Sequence, residues 1–146
     1  MHNLQFQSGH AGLCLGNAQL AEGTNATTFK TVQAIDFMIG GQFYSKAATD
    51  NIAFTATAVQ ADLTTCMYLV TIISDGTVTV TKGTEQVTGS GLPLLWPTVP
   101  ASSAVIGAIK VVSSGATFTG GTTDLGAGTV TDTYYNLPSL TFVLQA

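Results

Sequence analysis

The stretch Cys66-Met-Tyr-Leu-Val-Thr-Ile-Ile-Ser-Asp-Gly-Thr-Val-Thr-Val-Thr-Lys82 has the pattern of a β-hairpin and decides the fold class. Its Asp75-Gly76 pair is typical of a two-residue type I′ turn between two strands. Such a turn predicts the cross-strand pairs Ile73 with Val78 and Thr71 with Val80. The first strand is apolar on both faces, which indicates a central strand, and its partner alternates Val with Thr, which indicates a more exposed one.

A second hairpin is indicated by Gly40-Gly41, which separates a strand over residues 32–39 from a strand over residues 42–46. A two-residue loop predicts the pairs Phe37 with Tyr44 and Met38 with Phe43. Further strands are predicted at residues 52–59, 105–112 and 140–144, where Leu140, Phe142 and Leu144 share one face.

Two segments have less decisive patterns. Residues 17–23 have room for one helical turn and little more, and no longer segment has a helical period. Residues 115–133 alternate Thr, Gly and small side chains, which fits either short strands joined by turns or one long loop. The chain is therefore read as all-β.

The composition supports strands and a neutral surface. Charged residues make up 8% of the 146-residue chain, whereas ordinary soluble domains have about 25%. The sequence holds 24 Thr and 16 Gly and no Arg, and β-branched Thr suits a pleated, half-wet surface. Many short strands with Gly-rich turns predict a jelly-roll-like β-sandwich. We divide the chain into residues 1–12, an N-terminal arm or edge strand, and residues 13–146, a single β-sandwich domain.

The charge pattern excludes several classes of protein. A net charge of −4 without Arg gives no basic stripe for nucleic acid. The uncharged residues 86–109 are interrupted by Pro93, Pro97 and Pro100, so they do not form a membrane helix. The N-terminus has no signal-peptide pattern, which indicates a product that is made in the cytoplasm and is either kept there or released without a Sec signal. Cys14 and Cys66 lie in apolar runs and are interpreted as buried free thiols rather than a disulfide.

The side chains that carry chemistry are sparse. The two histidines, His2 and His10, lie in the N-terminal segment, and no spacing for a zinc site occurs. The acidic residues are spread singly, and Asp124 and Asp132 are interpreted as turn residues rather than calcium ligands. We therefore predict no catalytic residue, no cofactor and no bound metal.

Two features predict contacts with other protein. Leu4-Gln5-Phe6-Gln7 alternates apolar and polar residues, as an arm that adds a strand to a neighbour does, or as the first strand of its own sheet does. The loop at residues 92–100 is apolar and rigidified by proline, and it either presents interface anchors or folds back over its own core. The predicted interface residues are Leu4, Phe6, Leu94, Leu95, Trp96 and Val99.

Three segments carry a resemblance to a known family. Residues 42–51 (QFYSKAATDN), 105–111 (VIGAIKV) and 118–125 (FTGGTTDL) resemble capsid decoration, or cement, proteins, which are small proteins of tailed bacteriophages encoded with the head genes. The resemblance spans roughly residues 28–130. It implies a jelly roll or related β-sandwich, arranged as dimers or trimers on the outer capsid surface of the virion and bridging neighbouring units of the major capsid protein. We favour a homotrimer.

Two other functions fit the sequence. A tail-fibre or receptor-binding β-domain has a similar composition. Carbohydrate sites usually have exposed aromatic residues beside Asp and Asn, and Tyr134-Tyr135-Asn136 is the only such cluster in the sequence. A capsule-degrading enzyme needs a pair of carboxylates on either side of the substrate bond, and the spacing of the acidic residues indicates no such pair.

Overall fold

The computed structural model describes residues 12–56 and 58–136, and these residues form strands joined by turns, with no helix among them. The strands are β1 (Gly12–Cys14), β2 (Leu20–Glu22), β3 (Thr28–Thr31), β4 (Ile35–Ile39), β5 (Gln42–Lys46), β6 (Thr49–Ala53), β7 (Thr64–Ile73), β8 (Val78–Lys82), β9 (Gln86–Val87), β10 (Ser103–Ser113) and β11 (Val130–Asn136). The prediction of an all-β fold is confirmed.

The strands form three antiparallel sheets. A five-stranded sheet has the order β11-β10-β7-β8, and β9 pairs with the beginning of β7. Two three-stranded sheets have the orders β1-β4-β5 and β2-β3-β6. All three sheets contribute side chains to one buried core cluster.

Strand β7 lies between β10 and β8, and its side chains are buried on both faces. In β8, Val78 and Val80 are buried and the threonines between and after them are partly exposed. The predicted central strand and its more exposed partner are therefore confirmed.

The predicted register of this hairpin is wrong by one residue, because Ile72 pairs with Val78 and Val70 with Val80. The loop has three residues rather than two. The Gly76 amide donates to the Ile73 carbonyl at 2.9 Å, and Gly76 has φ +83°. This is a turn followed by a left-handed glycine, the usual three-residue alternative to a type I′ turn.

The β4–β5 hairpin has the predicted two-residue loop and register, with Phe37 opposite Tyr44 and Met38 opposite Phe43. Gly40 and Gly41 have φ +58° and +81°, a combination that favours glycine at both positions. The rings of Phe37 and Tyr44 stack with centroids 5.5 Å apart on the core side.

The other strand predictions have mixed outcomes. The strand predicted at residues 105–112 lies within β10. Residues 17–23 contain β2 instead of a helical turn. Residues 115–129 form turns and loop, apart from an isolated antiparallel bridge between Phe118 and Gln60, and β11 begins at Val130. The strand predicted at residues 140–144 lies outside the described residues.

The strand predicted at residues 52–59 was placed too late, because β6 ends at Ala53. From there the chain crosses from one sheet to another. The Phe54 side chain is buried in the core, and the Thr55 hydroxyl accepts the amide of Val80 on β8 at 2.9 Å. A chain making these contacts cannot remain in the β3–β6 ladder.

Phe54 lies at the centre of an aromatic cluster that connects the sheets. Its ring centroid is 6.2 Å from that of Phe29, 5.0 Å from that of Tyr68 and 5.5 Å from that of Phe118, and each pair meets edge to face. This geometry is the one that the ring quadrupoles favour. The cluster therefore holds β3, β7 and the chain before β11 together.

Gln60 is a fully buried polar side chain beside this cluster. Its amide nitrogen donates to the carbonyls of Thr64 and Val111, at 3.0 and 3.1 Å. Its amide oxygen accepts the hydroxyl of Tyr68 at 3.0 Å. Burial of this group is therefore offset by three hydrogen bonds.

Candidate interface

Residues 92–100, here called the proline loop, connect β9 to β10 without forming a strand. Leu92, Leu95 and Trp96 have 62%, 51% and 42% of their surface exposed. Of the other two predicted interface residues in this loop, Leu94 and Val99 are partly buried. The loop thus presents apolar side chains outward, and Leu92 is a candidate that the sequence prediction missed although it lies in the same uncharged run.

The proline loop is anchored through Pro97, which is buried. Pro97 packs where Gly83 leaves room. A β-carbon at Gly83 would lie 2.7 Å from the Met67 carbonyl oxygen, 3.0 Å from that of Leu95 and 3.3 Å from Cδ of Pro97. Only glycine allows the loop to approach the end of β8 this closely.

Both ends of the proline loop are fixed by hydrogen bonds. Before it, the amide of Ser90 donates to the Val87 carbonyl at 3.1 Å, in a turn where Gly89 has φ +79°. After it, the Ser103 hydroxyl donates to the Pro100 carbonyl at 2.6 Å. Proline also fixes φ at three positions within the loop. The exposed side chains are therefore carried by a backbone that is fixed in one conformation.

The charged residues next to the proline loop neutralise each other. Lys82 and Glu85, which flank the Gly83 contact, form an ion pair with each other. The Lys82 ammonium also donates to the Val59 carbonyl at 2.7 Å. Residues 86–109 include no charged side chain, so the surface of the loop is apolar and uncharged.

Leu4 and Phe6, the other predicted interface residues, lie outside the described residues. The arm therefore stays a prediction. The same holds for the domain boundary predicted at residues 12 and 13, which falls inside the short strand β1.

Several acidic side chains of the described residues accept backbone amides, some within their own turn and some from distant segments, as Asp62 does from Gly115 at 2.6 Å. In residues 12–56 and 58–136, no group of three or more His, Cys, Asp or Glu side chains is placed to hold a metal ion. Asp124 accepts the amide of Gly126 at 2.7 Å, which confirms it as a turn residue, whereas Asp132 lies in β11 and was wrongly assigned to a turn. Hydrogen bonds from Thr77 hold the pKa of Asp75 below its usual value.

The side chains of the cluster Tyr134-Tyr135-Asn136 are divided between the two faces of β11. Successive residues of β11 point to opposite faces, so Tyr134 packs against the core and Tyr135 is exposed. The Asn136 amide oxygen accepts a hydrogen bond from the backbone amide of Leu20 at 2.6 Å.

In the part of the chain that the structure describes, no helix is long and apolar enough to cross a membrane.

Cys14 and Cys66 are free and buried, as predicted. Burial raises the pKa of both thiols, that of Cys66 to about 11. At pH 8 both thiols are therefore almost entirely protonated, whereas the thiolate is the reactive form.

We therefore expect both cysteines to resist a thiol-specific reagent such as DTNB at pH 8 in the folded protein. In guanidinium chloride, two thiols per chain should react at once. Rapid labelling of either thiol under native conditions would contradict the burial described here.

Comparison with known proteins does not place the chain in a family. No protein-family model, curated protein or solved structure matches it. The resemblance to capsid decoration proteins stays a hypothesis.

Proposed function

We propose that this chain is a structural virion protein, a capsid decoration or cement protein that binds the outside of a phage head and stabilises the capsid lattice. The observation that carries the proposal is the proline loop, which exposes Leu92, Leu95 and Trp96 from a fixed backbone. Trp and other large side chains at the centre of an interface supply most of its binding energy. The major capsid protein is the partner in this proposal.

The rigidity of the loop supports binding rather than mere exposure. An ordered loop loses little conformational entropy when it docks, so more of the contact energy appears as affinity. The buried Pro97 and the hydrogen bond from Ser103 to Pro100 supply this order before any partner arrives. A flexible apolar loop of the same composition would bind more weakly.

The lack of charge supports a contact that depends little on salt. Exposed charge pairs are screened at moderate ionic strength, whereas apolar burial is not. The proposed docking surface has no charge to screen. Binding to the head should therefore survive salt concentrations that detach electrostatic binders.

The proposed mechanism is mass action. A protein that binds only the assembled, expanded lattice shifts the equilibrium toward that lattice. When the free concentration of the decoration protein is 100 times its dissociation constant, binding stabilises each site by about 2.7 kcal/mol. Many such sites on one shell resist the pressure of packaged DNA together.

The proposal includes the finer architecture, a jelly-roll-like β-sandwich that assembles as a homotrimer. The five-stranded sheet would form one layer, and the sheets β1-β4-β5 and β2-β3-β6 the other. The shared core supports two facing layers, because Val70 of β7, Phe37 of β4 and Phe29 of β3 belong to one buried cluster.

The decisive experiment is cryo-electron microscopy of particles from the virus that encodes this chain, compared with particles that lack it. The proposal requires density on the head shell at repeated positions between capsomers. Density confined to the tail would overturn it and favour the receptor-binding function.

Replacing Trp96 with alanine should weaken binding to such heads by about 30-fold, or about 2 kcal/mol, because Trp96 is the largest exposed anchor of the proline loop. Co-sedimentation of the purified chain with heads that lack it measures this. The matched control is Tyr135→Ala, which removes another exposed aromatic ring, on the edge strand β11. If Tyr135→Ala weakened binding and Trp96→Ala did not, the proposed docking surface would be wrong.

A further inference from the structure

Within the described residues, the β1-β4-β5 sheet has an open edge at β5. Among residues 12–56 and 58–136, β5 pairs with β4 on one side only. Other sheet edges are partly covered by side chains, since Thr55 accepts the Val80 amide of β8 and Asn136 accepts the Leu20 amide of β2. An open edge is a template for a further strand.

The outward face of this sheet is apolar next to that edge. Leu13, Met38 and Phe43 lie side by side across β1, β4 and β5, and we call them the outer row. Phe43, at the open edge, has 74% of its surface exposed, more than any other large apolar side chain in the described residues. A strand added beside β5 would cover Phe43 if it carried apolar residues on the outward face.

The sequence of the chain contains a segment with the pattern of such a strand. Within the described residues, the ladder between β1 and β4 runs as far as Gly12 and Ile39, next to the Gly40-Gly41 turn. Gly12 therefore lies at the hairpin end of the sheet, and an eleven-residue segment before it has a maximum reach of about 36 Å. Leu4-Gln5-Phe6-Gln7 within that segment alternates apolar and polar side chains.

We propose that residues 4–7 of one copy of the chain add as a strand to the open edge of β5 in a second copy. Leu4 and Phe6 then extend the outer row beside Phe43, and Gln5 and Gln7 face the other side. Main-chain hydrogen bonds supply part of the affinity and the buried apolar side chains the rest. This inference does not depend on the proposed binding to a phage head.

A second copy is a better acceptor than the same copy. Within one copy, β1 and the far side of β5 are separated by three strand spacings, about 14 Å. The linker from Gln7 to Gly12 spans at most about 17 Å, and it would also have to pass around the Gly40-Gly41 turn. An arm that enters a neighbour has no such restriction, and exchange of arms around a symmetry axis closes an oligomer.

Disulfide trapping tests the proposal. Copies that carry only Phe6→Cys are mixed with copies that carry only Phe43→Cys, oxidised, and run on a non-reducing gel. A parallel mixture uses Leu4→Cys, because either side chain can lie opposite Phe43. The proposal requires a cross-linked dimer in one of these mixtures. The matched control is Gln5→Cys mixed with Phe43→Cys, which should cross-link much less because Gln5 faces the opposite side.

Besides the absence of a cross-linked dimer from both mixtures, three outcomes would overturn the proposal. One is a chain carrying both Phe6→Cys and Phe43→Cys that cross-links only within itself at monomer mass. The second is equal cross-linking in the Gln5→Cys control. The third is light scattering in which the unmodified chain is an oligomer and deletion of residues 1–8 leaves its mass unchanged. The expected result of that deletion is a folded monomer, with near-ultraviolet circular dichroism preserved.

Discussion

Replacing Phe54 with alanine is expected to lower the free energy of unfolding by about 3–5 kcal/mol. Phe54 is 2% exposed and its ring contacts Phe29, Tyr68 and Phe118. Removing the ring forfeits these contacts and leaves a cavity that edge-to-face neighbours cannot close without moving strands from two sheets. Urea denaturation followed by circular dichroism measures the change.

The control for this substitution is Leu63→Ala, at a leucine with 61% of its surface exposed. It should change the free energy of unfolding by no more than about 0.5 kcal/mol. Equal losses for the two variants would mean that the aromatic cluster is not the centre of the core.

The second large effect is expected at Gln60. Gln60→Leu keeps the side-chain volume but leaves the Thr64 carbonyl, the Val111 carbonyl and the Tyr68 hydroxyl buried without their partner. Each orphaned group costs about 1–3 kcal/mol, so we expect a loss of about 3 kcal/mol or more in the free energy of unfolding. Chemical denaturation of the variant at neutral pH provides the measurement.

A double-mutant cycle with Tyr68→Phe separates the hydrogen bond from packing. Alone, Tyr68→Phe leaves the Gln60 oxygen without its donor and should be destabilising. In the Gln60→Leu background it removes an orphaned hydroxyl instead, so it should be nearly neutral or stabilising. The hydrogen-bond network is refuted if Tyr68→Phe has the same effect in both backgrounds.

The two hairpins show what local sequence determines. Gly40-Gly41 was assigned its turn and register correctly, because two successive left-handed residues suit glycine and few alternatives compete. Asp75-Gly76 fits a two-residue and a three-residue loop equally well. The alternation of apolar and polar residues usually distinguishes one register from another. Here Ile72 and Ile73 are both apolar, so either of them could pair with Val78 without placing a polar side chain in the core.

The candidate interface was predictable in location but not in detail. Proline and the lack of charge identified the loop, and Trp96 and Leu95 are exposed as an interface requires. Which side chains point outward depends on Pro97 packing at Gly83, a contact between segments that have no pattern in common. Gln60 was missed for the same reason, since its partners lie on β7 and β10 and no local signal marks a buried glutamine.

The position of β7 in the middle of its sheet has a consequence for synthesis of the chain. β7 is apolar on both faces, and its long partner β10 ends at Ser113, about 40 residues later. A ribosome needs roughly 2–8 s for that length, and during this time the uncharged run from Cys66 to Ile73 has only the β8 hairpin beside it. Such a run is prone to intermolecular strand pairing. Recombinant yield should therefore depend more on the rate of translation and on chaperone supply than on the stability of the finished fold.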